Sequence, residues 1–195
     1  MEYAEGGSLK NYLEVNFNNL TWHDKYNLAF QLASAVLCLH KEGIVHRDLH
    51  SSNILIHQGV VKLANFGFAK RIEESRYGTY GSKNFGLIPY VDPKRFCGGP
   101  KRGGSKFQDV KSDVYSVGVL LWEISSGRPP FYVEGGQDEI YLGIKILQGF
   151  RESIIHGTPE DYVKLYTECW DHEPDNRPTM DKVVEELNVI FKKTY

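Results

Sequence analysis

The chain has 195 residues, with 23 Lys and Arg against 25 Asp and Glu, and its formal net charge is −2. This balance argues against a nucleic-acid binder that works through bulk charge, and no apolar run approaches the about 20 residues of a transmembrane helix. The N-terminus lacks the features of a signal peptide, and the cysteines are too widely spaced for a disulfide framework or a zinc site. We therefore expect a globular, cytoplasmic protein without a membrane segment.

The first clear element is a helix from about Trp22 to Lys41, which Gly43 ends. Its apolar stripe consists of Leu28, Leu32, Val36 and Leu39. Two short apolar runs at 54–56 and 60–63 then flank the turn residues 57–59. This arrangement predicts a β-hairpin inside an otherwise helical protein.

The periodicity fades from Gly67 to about Phe107, and residues 97–107 have the composition of a flexible basic loop. Helical spacing returns near Ser112, at 137–148, after 158–161 and from Thr179. The four apolar stripes are Val114, Val117, Leu121 and Ile124; Ile140, Ile144 and Leu147; Tyr162, Tyr166, Cys169 and Trp170; and Val183, Val184, Leu187 and Ile190. We expect the aromatic stripe to be core, and the whole chain, 1–195, to be one mainly α domain with a small β-hairpin and no internal repeat.

A dense polar cluster separates the first helix from the hairpin. It reads His46-Arg47-Asp48-Leu49-His50-Ser51-Ser52-Asn53. A carboxylate five residues before an amide would place a base and a metal ligand in one loop. Two interpretations are open: a loop that holds a base and a metal ligand, or a metal-hydrolase site in which His46, Asp48 and His50 alternate on one face. The second lacks further residues to complete a ligand set.

The cluster resembles the H-R-D-L-x-x-x-N catalytic loop of eukaryotic protein kinases. Further kinase-like motifs follow in the family's order, and together they cover essentially the whole chain. They are Met1–Leu9 as the hinge between the lobes, Asn65-Phe66-Gly67 in the place of D-F-G, Pro93 in the place of the A-P-E proline, Ser112–Gly118 at the start of the central helix, and Cys169-Trp170 with Asp175–Pro178 in the closing helices. The closing helices resemble those of tyrosine kinases and tyrosine-kinase-like relatives.

The resemblance implies a role for each matching residue. Asp48 would orient the substrate hydroxyl as the catalytic base, Arg47 would pair with a phosphate on the activation segment, 65–93, and Asn53 and Asn65 would be the magnesium ligands. For ATP, the resemblance implies contacts from the hinge residues Glu2 and Ala4, from Leu55 beneath adenine, and from Asn65. The candidate phosphosites on the activation segment are Ser75, Tyr77, Thr79, Tyr80 and Ser82.

Three substitutions depart from the family pattern. Asn65 replaces the aspartate that is the family's main magnesium ligand, and His50 replaces the usual Lys or Ala. Lys94 replaces the glutamate that pairs with the arginine matched by Arg177, so two like charges are expected there unless Asp92 takes the glutamate's place. Losing about 3 kcal/mol of metal stabilisation would slow transfer about a hundredfold.

The resemblance begins at the hinge, so we expect a kinase-like C-lobe without the smaller N-lobe. Two hypotheses follow: a protein kinase with impaired ATP-dependent transfer to Ser/Thr or Tyr, or a pseudokinase scaffold in signal transduction. The expected partners are a protein substrate or signalling protein, and a partner that covers the face normally turned to the N-lobe, where Leu55 and Phe66 would be exposed.

Overall fold

The computed structural model describes residues 5–72, 87–96, 106–132 and 138–193, and within these ranges the chain is mainly helical. The helices are α1 Leu9–Asn16, α2 Trp22–Lys41, α3 Lys106–Ser126, α4 Glu139–Leu147, α5 Glu160–Cys169 and α6 Met180–Lys193. The strands are β1 Ile44–Val45, β2 Ile54–His57, β3 Val60–Leu63 and β4 Lys70–Arg71. The predicted class, mainly α with a small antiparallel sheet, is confirmed. No helix in the described part of the chain is long and apolar enough to cross a bilayer.

Helix α2 has the predicted bounds because both of its ends carry local signals. The Thr21 side chain accepts a hydrogen bond from the backbone of Asp24, and the Asp24 carboxylate accepts one from the backbone of Thr21, which forms a capping box. Gly43 follows the helix with a φ of 70°, a conformation that glycine adopts without a steric penalty. The predicted stripe is buried at Leu28, Leu32 and Val36, whereas Leu39 is only partly buried.

The predicted hairpin is confirmed as the antiparallel pair of β2 and β3, with Ile54 opposite Leu63 and His57 opposite Val60. Its turn residues Gln58 and Gly59 have φ values of 51° and 73°, as a two-residue hairpin turn requires. A second antiparallel pair, β1 with β4, was missed because two-residue strands carry no periodicity. It brings residues 70–71 back beside the start of the catalytic loop.

Helix α3 is the centre of the core and begins six residues before the predicted Ser112. Its stripe of Val114, Val117, Leu121 and Ile124 is completely buried. A Cβ placed on Gly118 would lie 2.8 Å from the Cβ of Cys169 and 3.0 Å from the backbone nitrogen of Trp170. A glycine is therefore needed where α3 and α5 approach each other.

The predicted apolar face of α4 is wrong. Ile140 and Ile144 are 76% and 49% exposed, whereas Leu142 and Ile146 are buried. The helix is apolar around most of its circumference, so its spacing alone did not select one face. The selection comes from packing against the turns at 88–90 and 93–95.

The last two helices bury the residues that their spacing predicts. Tyr162, Tyr166 and Cys169 are inaccessible to solvent, and Trp170 is almost so. The aromatic stripe is therefore core, as expected. Helix α6 begins at Met180, one residue after the predicted start, and buries Val183, Leu187 and Ile190, while Val184 is only partly buried.

Candidate active site

The predicted catalytic loop lies between β1 and β2 and is held from below by one carboxylate of helix α3. The Oδ2 atom of Asp113 accepts the backbone N–H of His46 at 2.8 Å, and Oδ1 accepts that of Arg47 at 2.8 Å. His40 Nε2 lies 3.0 Å from Asp113 Oδ2. Arg47 has a φ of 70°, so these bonds stabilise a turn that a non-glycine residue rarely adopts. The sequence interpretation assigned Asp113 no role, and its signal was weak because Asp113 follows other polar residues at the start of α3.

Asp48 lies in this loop, and its side chain is only 9% exposed to solvent. Asn53 Nδ2 donates to Asp48 Oδ2 at 3.0 Å and to the backbone oxygen of Asp48 at 2.8 Å. His50 Nε2 lies 3.8 Å from the same carboxylate oxygen. The His50 ring, and then the Asn53 amide, lower the pKa of Asp48 below its ordinary value against the opposing effect of burial. A carboxylate held ionised in this way can accept a hydrogen bond from a substrate hydroxyl at neutral pH.

Asn65 reaches the same place from the other side. Its backbone is left-handed, with φ and ψ both 63°, a conformation that asparagine tolerates better than most residues. Its side-chain nitrogen lies 3.3 Å from Asn53 Oδ1 and 3.5 Å from Asp48 Oδ2, so it donates to both. The structure thus brings Asp48, Asn53 and Asn65 together; we call these three residues the catalytic-loop triad.

The catalytic-loop triad does not fit a magnesium ion as it is arranged. Magnesium takes oxygen ligands only, in proteins usually one or two carboxylates with waters and substrate phosphates. Here Asp48 is the single carboxylate, Asn53 Oδ1 already accepts a hydrogen bond, and Asn65 presents a nitrogen rather than an oxygen. The amide orientations in this structure do not favour a bound magnesium ion, and the metal-ligand roles of Asn53 and Asn65 stay predictions.

The metal-hydrolase interpretation is not supported either, because the two histidines diverge. The His46 ring contacts the backbone oxygen of Ala64 at 3.0 Å and packs on Phe66 with 5.1 Å between ring centroids. The His50 ring instead faces Asp48 and Tyr90. In the part of the chain that the structure describes, no three His, Cys, Asp or Glu side chains are grouped to hold a metal ion.

The residues predicted to hold the nucleotide are only partly described. Leu55 lies half-buried on β2, where it forms a bridge with Ser8, and Phe66 is 48% exposed. Glu2 and Ala4 lie outside the described residues, as do the candidate phosphosites of the activation segment and residues 97–105 of the basic loop. The nucleotide contacts and the phosphate-pairing role of Arg47 stay predictions.

The expected clash between Lys94 and Arg177 does not occur, because Asp92 takes the place of the family glutamate. Arg177 Nη1 and Nη2 donate to the two carboxylate oxygens of Asp92 at 2.7 and 3.0 Å, and both side chains are buried. Ser112 Oγ adds a bond of 2.8 Å to Asp92. Lys94 turns outward and pairs with Glu173 at 2.6 Å. We call Asp92, Arg177 and Ser112 the segment anchor, since they hold the end of the predicted activation segment on α3.

A second buried acid connects the segment to the catalytic loop. Tyr90 O–H donates to Glu123 Oε2 at 2.8 Å and lies 3.1 Å from Ser51 Oγ. Burial, which outweighs the hydrogen bonds from the two hydroxyl groups, raises the pKa of Glu123 to about 7. The sequence interpretation missed this chain; its only signal was a glutamate inside the apolar run of α3.

The helical core, the anchored catalytic loop and the segment anchor together define a protein-kinase-like domain. The family profile described as protein tyrosine and serine/threonine kinase matches residues 1–187. The chain therefore belongs to this family.

Of three similar curated proteins, two carry kinase names. The chain is 33% identical over 202 residues to "Cyclic GMP-binding protein C" of Dictyostelium discoideum, covering 99% of the chain and 7% of that protein. It is 33% identical over 190 residues to "Putative serine/threonine-protein kinase/receptor R818" of Acanthamoeba polyphaga mimivirus, covering 96% of the chain and 10% of that protein. It is also 33% identical over 185 residues to "Tyrosine-protein kinase SRK3" of Spongilla lacustris, covering 93% of the chain and 52% of that protein. The chain thus spans only part of each relative, and the absence of the smaller lobe stays a prediction.

Proposed function

We propose that this chain is part of a protein kinase domain that binds a protein hydroxyl at Asp48 but transfers phosphate from ATP slowly. One observation carries the proposal: the base is retained and ionised, whereas the neighbouring Asn65 is neutral and turns its amide nitrogen toward it. In the family, magnesium neutralises the phosphate charge that develops during transfer. Asn65 removes one negative charge from the group of residues that would hold that ion.

The chain's own residues support binding and orientation of a substrate. Asn53 fixes the Asp48 carboxylate through its amide, and Asp113 holds the backbone on which Asp48 sits. His50 stands beside Asp48, where the family has Lys or Ala, so neither residue pattern specifies Ser/Thr or Tyr as the substrate. By resemblance, Leu55 would lie beneath adenine, with Glu2 and Ala4 at the hinge.

The test compares phosphoryl transfer by the unmodified protein and by Asn65→Asp. The protein should be expressed with any sequence that precedes Met1 in its reading frame, because a Gly-rich loop and a strand lysine there would supply the rest of the ATP site. Restoring the carboxylate should raise the rate about a hundredfold, equivalent to about 3 kcal/mol. As a control, the double variant Asn65→Asp with Asp48→Asn should lose this increase in rate. That loss would show that the increase depends on the catalytic loop. Ordinary kinases have a kcat of about 1–100 s⁻¹, and a kcat in this range for the unmodified protein would contradict the proposal.

The second candidate is a pseudokinase scaffold in a cytoplasmic signalling complex. The neutral Asn65 favours it, because the aspartate that it replaces is the family's main magnesium ligand. Thermal unfolding with ATP and magnesium separates the two candidates. A slow kinase should be stabilised by the nucleotide, whereas a scaffold should show no stabilisation and no transfer even as Asn65→Asp.

A further inference from the structure

The side-chain amide of Asn65 has a definite orientation in the catalytic-loop triad. Its nitrogen faces two oxygens, Asn53 Oδ1 at 3.3 Å and Asp48 Oδ2 at 3.5 Å. Its oxygen is on the other side, since a Cβ placed on Gly67 would lie 3.5 Å from Asn65 Oδ1. The donor end of the amide is therefore turned into the loop and the acceptor end is turned away from it.

The orientation of Asn53 is complementary. Its nitrogen donates to the backbone oxygen and carboxylate of Asp48, so its oxygen is left to face Asn65. Each of the two amides thus donates to Asp48 Oδ2, and Asn53 uses both ends of its amide group. Asp48 Oδ2 and Asn53 Oδ1 thus each accept a hydrogen bond from within the triad.

Reversing the Asn65 amide would change the electrostatics of this group. Its Oδ1 would then face the Asp48 carboxylate and Asn53 Oδ1, and three oxygens in contact repel each other unless a cation lies among them. The observed orientation and a cation-binding orientation therefore exclude each other. An aspartate at position 65 has no donor, so it could adopt only the second.

We propose that the amide nitrogen of Asn65 takes the place of a divalent cation, so that the catalytic loop is ordered without magnesium. This inference rests on the proposed function and deepens it, because it names the residue that removes the metal requirement from the loop. Asn65 acts here as a positioning residue for Asp48 and Asn53. The site is correspondingly a poor magnesium site in the absence of nucleotide.

The experiment measures thermal unfolding without nucleotide or substrate, in EDTA and in up to 10 mM MgCl₂ or MnCl₂. The unmodified protein should unfold at the same temperature in all three, within about 1 °C. Asn65→Asp should unfold about 3 °C lower in EDTA, because two carboxylates then face each other, and the cations should restore most of this loss. Asn18→Asp is the matched control, since it makes the same chemical change at an exposed position away from the loop and should show no cation effect.

Asn65→Gly keeps a residue that tolerates the left-handed backbone but removes both ends of the amide. It should show no cation response and should lose stability equally with and without metal. Electron paramagnetic resonance of Mn²⁺ provides a second readout: Asn65→Asp should bind one ion more than the unmodified protein and than Asn65→Gly.

Two results would overturn the inference: stabilisation of the unmodified protein by magnesium or manganese beyond that of Asn65→Gly, or absence of any cation response in folded Asn65→Asp. Because no nucleotide is present, these measurements report cation binding at the catalytic-loop triad and do not depend on ATP binding or phosphate transfer. Failure of the proposed function would appear elsewhere, as rapid phosphate transfer by the unmodified protein.

Discussion

The segment anchor and the catalytic-loop triad both depart from the kinase pattern, but the departures differ in kind. At the segment anchor the acid has moved from position 94 to position 92, and the ion pair with Arg177 is kept. At the triad the acid is lost, and an amide stands in its place. The first change preserves charge, whereas the second removes it.

Burial explains why the two sites tolerate different changes. Arg177 is inaccessible to solvent, so loss of its partner would leave a buried charge uncompensated. Asn65 is exposed and its amide donates to two polar side chains, so a neutral residue at this position leaves no buried charge without a partner. The buried Arg177 therefore requires an acid at the segment anchor, whereas the exposed position 65 accommodates a neutral amide.

The largest effect should come from Asp92→Ala, which removes the partner of Arg177. The loss of a buried ion pair should lower the free energy of unfolding by about 3–5 kcal/mol, measured by urea denaturation. Adding Lys94→Glu should recover part of this loss, because it returns the acid to the family's position. If Asp92→Ala lowered the free energy of unfolding by less than about 1 kcal/mol, the buried ion pair would not be needed for stability, and the contrast between the segment anchor and the triad would be wrong.

A smaller effect should follow from Glu123, a buried acid with hydroxyl partners instead of a cation. Its pKa is raised from 4.5 to about 7, so the folded protein holds a proton that the unfolded chain has lost between these values. The free energy of unfolding should therefore fall as pH rises from about 4.5 to 7, by about 3 kcal/mol at most. Glu123→Gln should abolish this dependence in denaturation at several pH values, and an unchanged pH profile in the variant would contradict the assignment.

The smallest effect should come from Lys94→Ala. Lys94 and Glu173 form an exposed pair, which water and salt screen, so the unfolding temperature should change by about 1 °C or less. The two substitutions each break one ion pair at neighbouring positions, the Asp92 pair buried and the Lys94 pair exposed. A Lys94→Ala loss as large as that of Asp92→Ala would show that the outward pair also holds the segment.

Much of the fold could be predicted because its signals are local. The capping box at Thr21, the turn at Gln58 and Gly59, and the aromatic spacing of α5 each lie within a few residues of the element they define. The residue types of the catalytic loop were also visible in the chain. Roles that depend on distant partners were not visible: Asp113 binds the catalytic loop and Glu123 binds Tyr90, and neither partner is near in sequence.

The sequence by itself determined the kinase-family pattern, most of the helices and the loss of charge at position 65, because these depend on residue identity and short-range spacing. Only the tertiary structure decided which face of α4 is buried, that Asp92 meets Arg177 across 85 positions, and which end of the Asn65 amide faces Asp48. Each of these choices depends on atoms that are distant in the chain and close in space. Local periodicity carries no information about such contacts, and burial and charge then decide which of them persist.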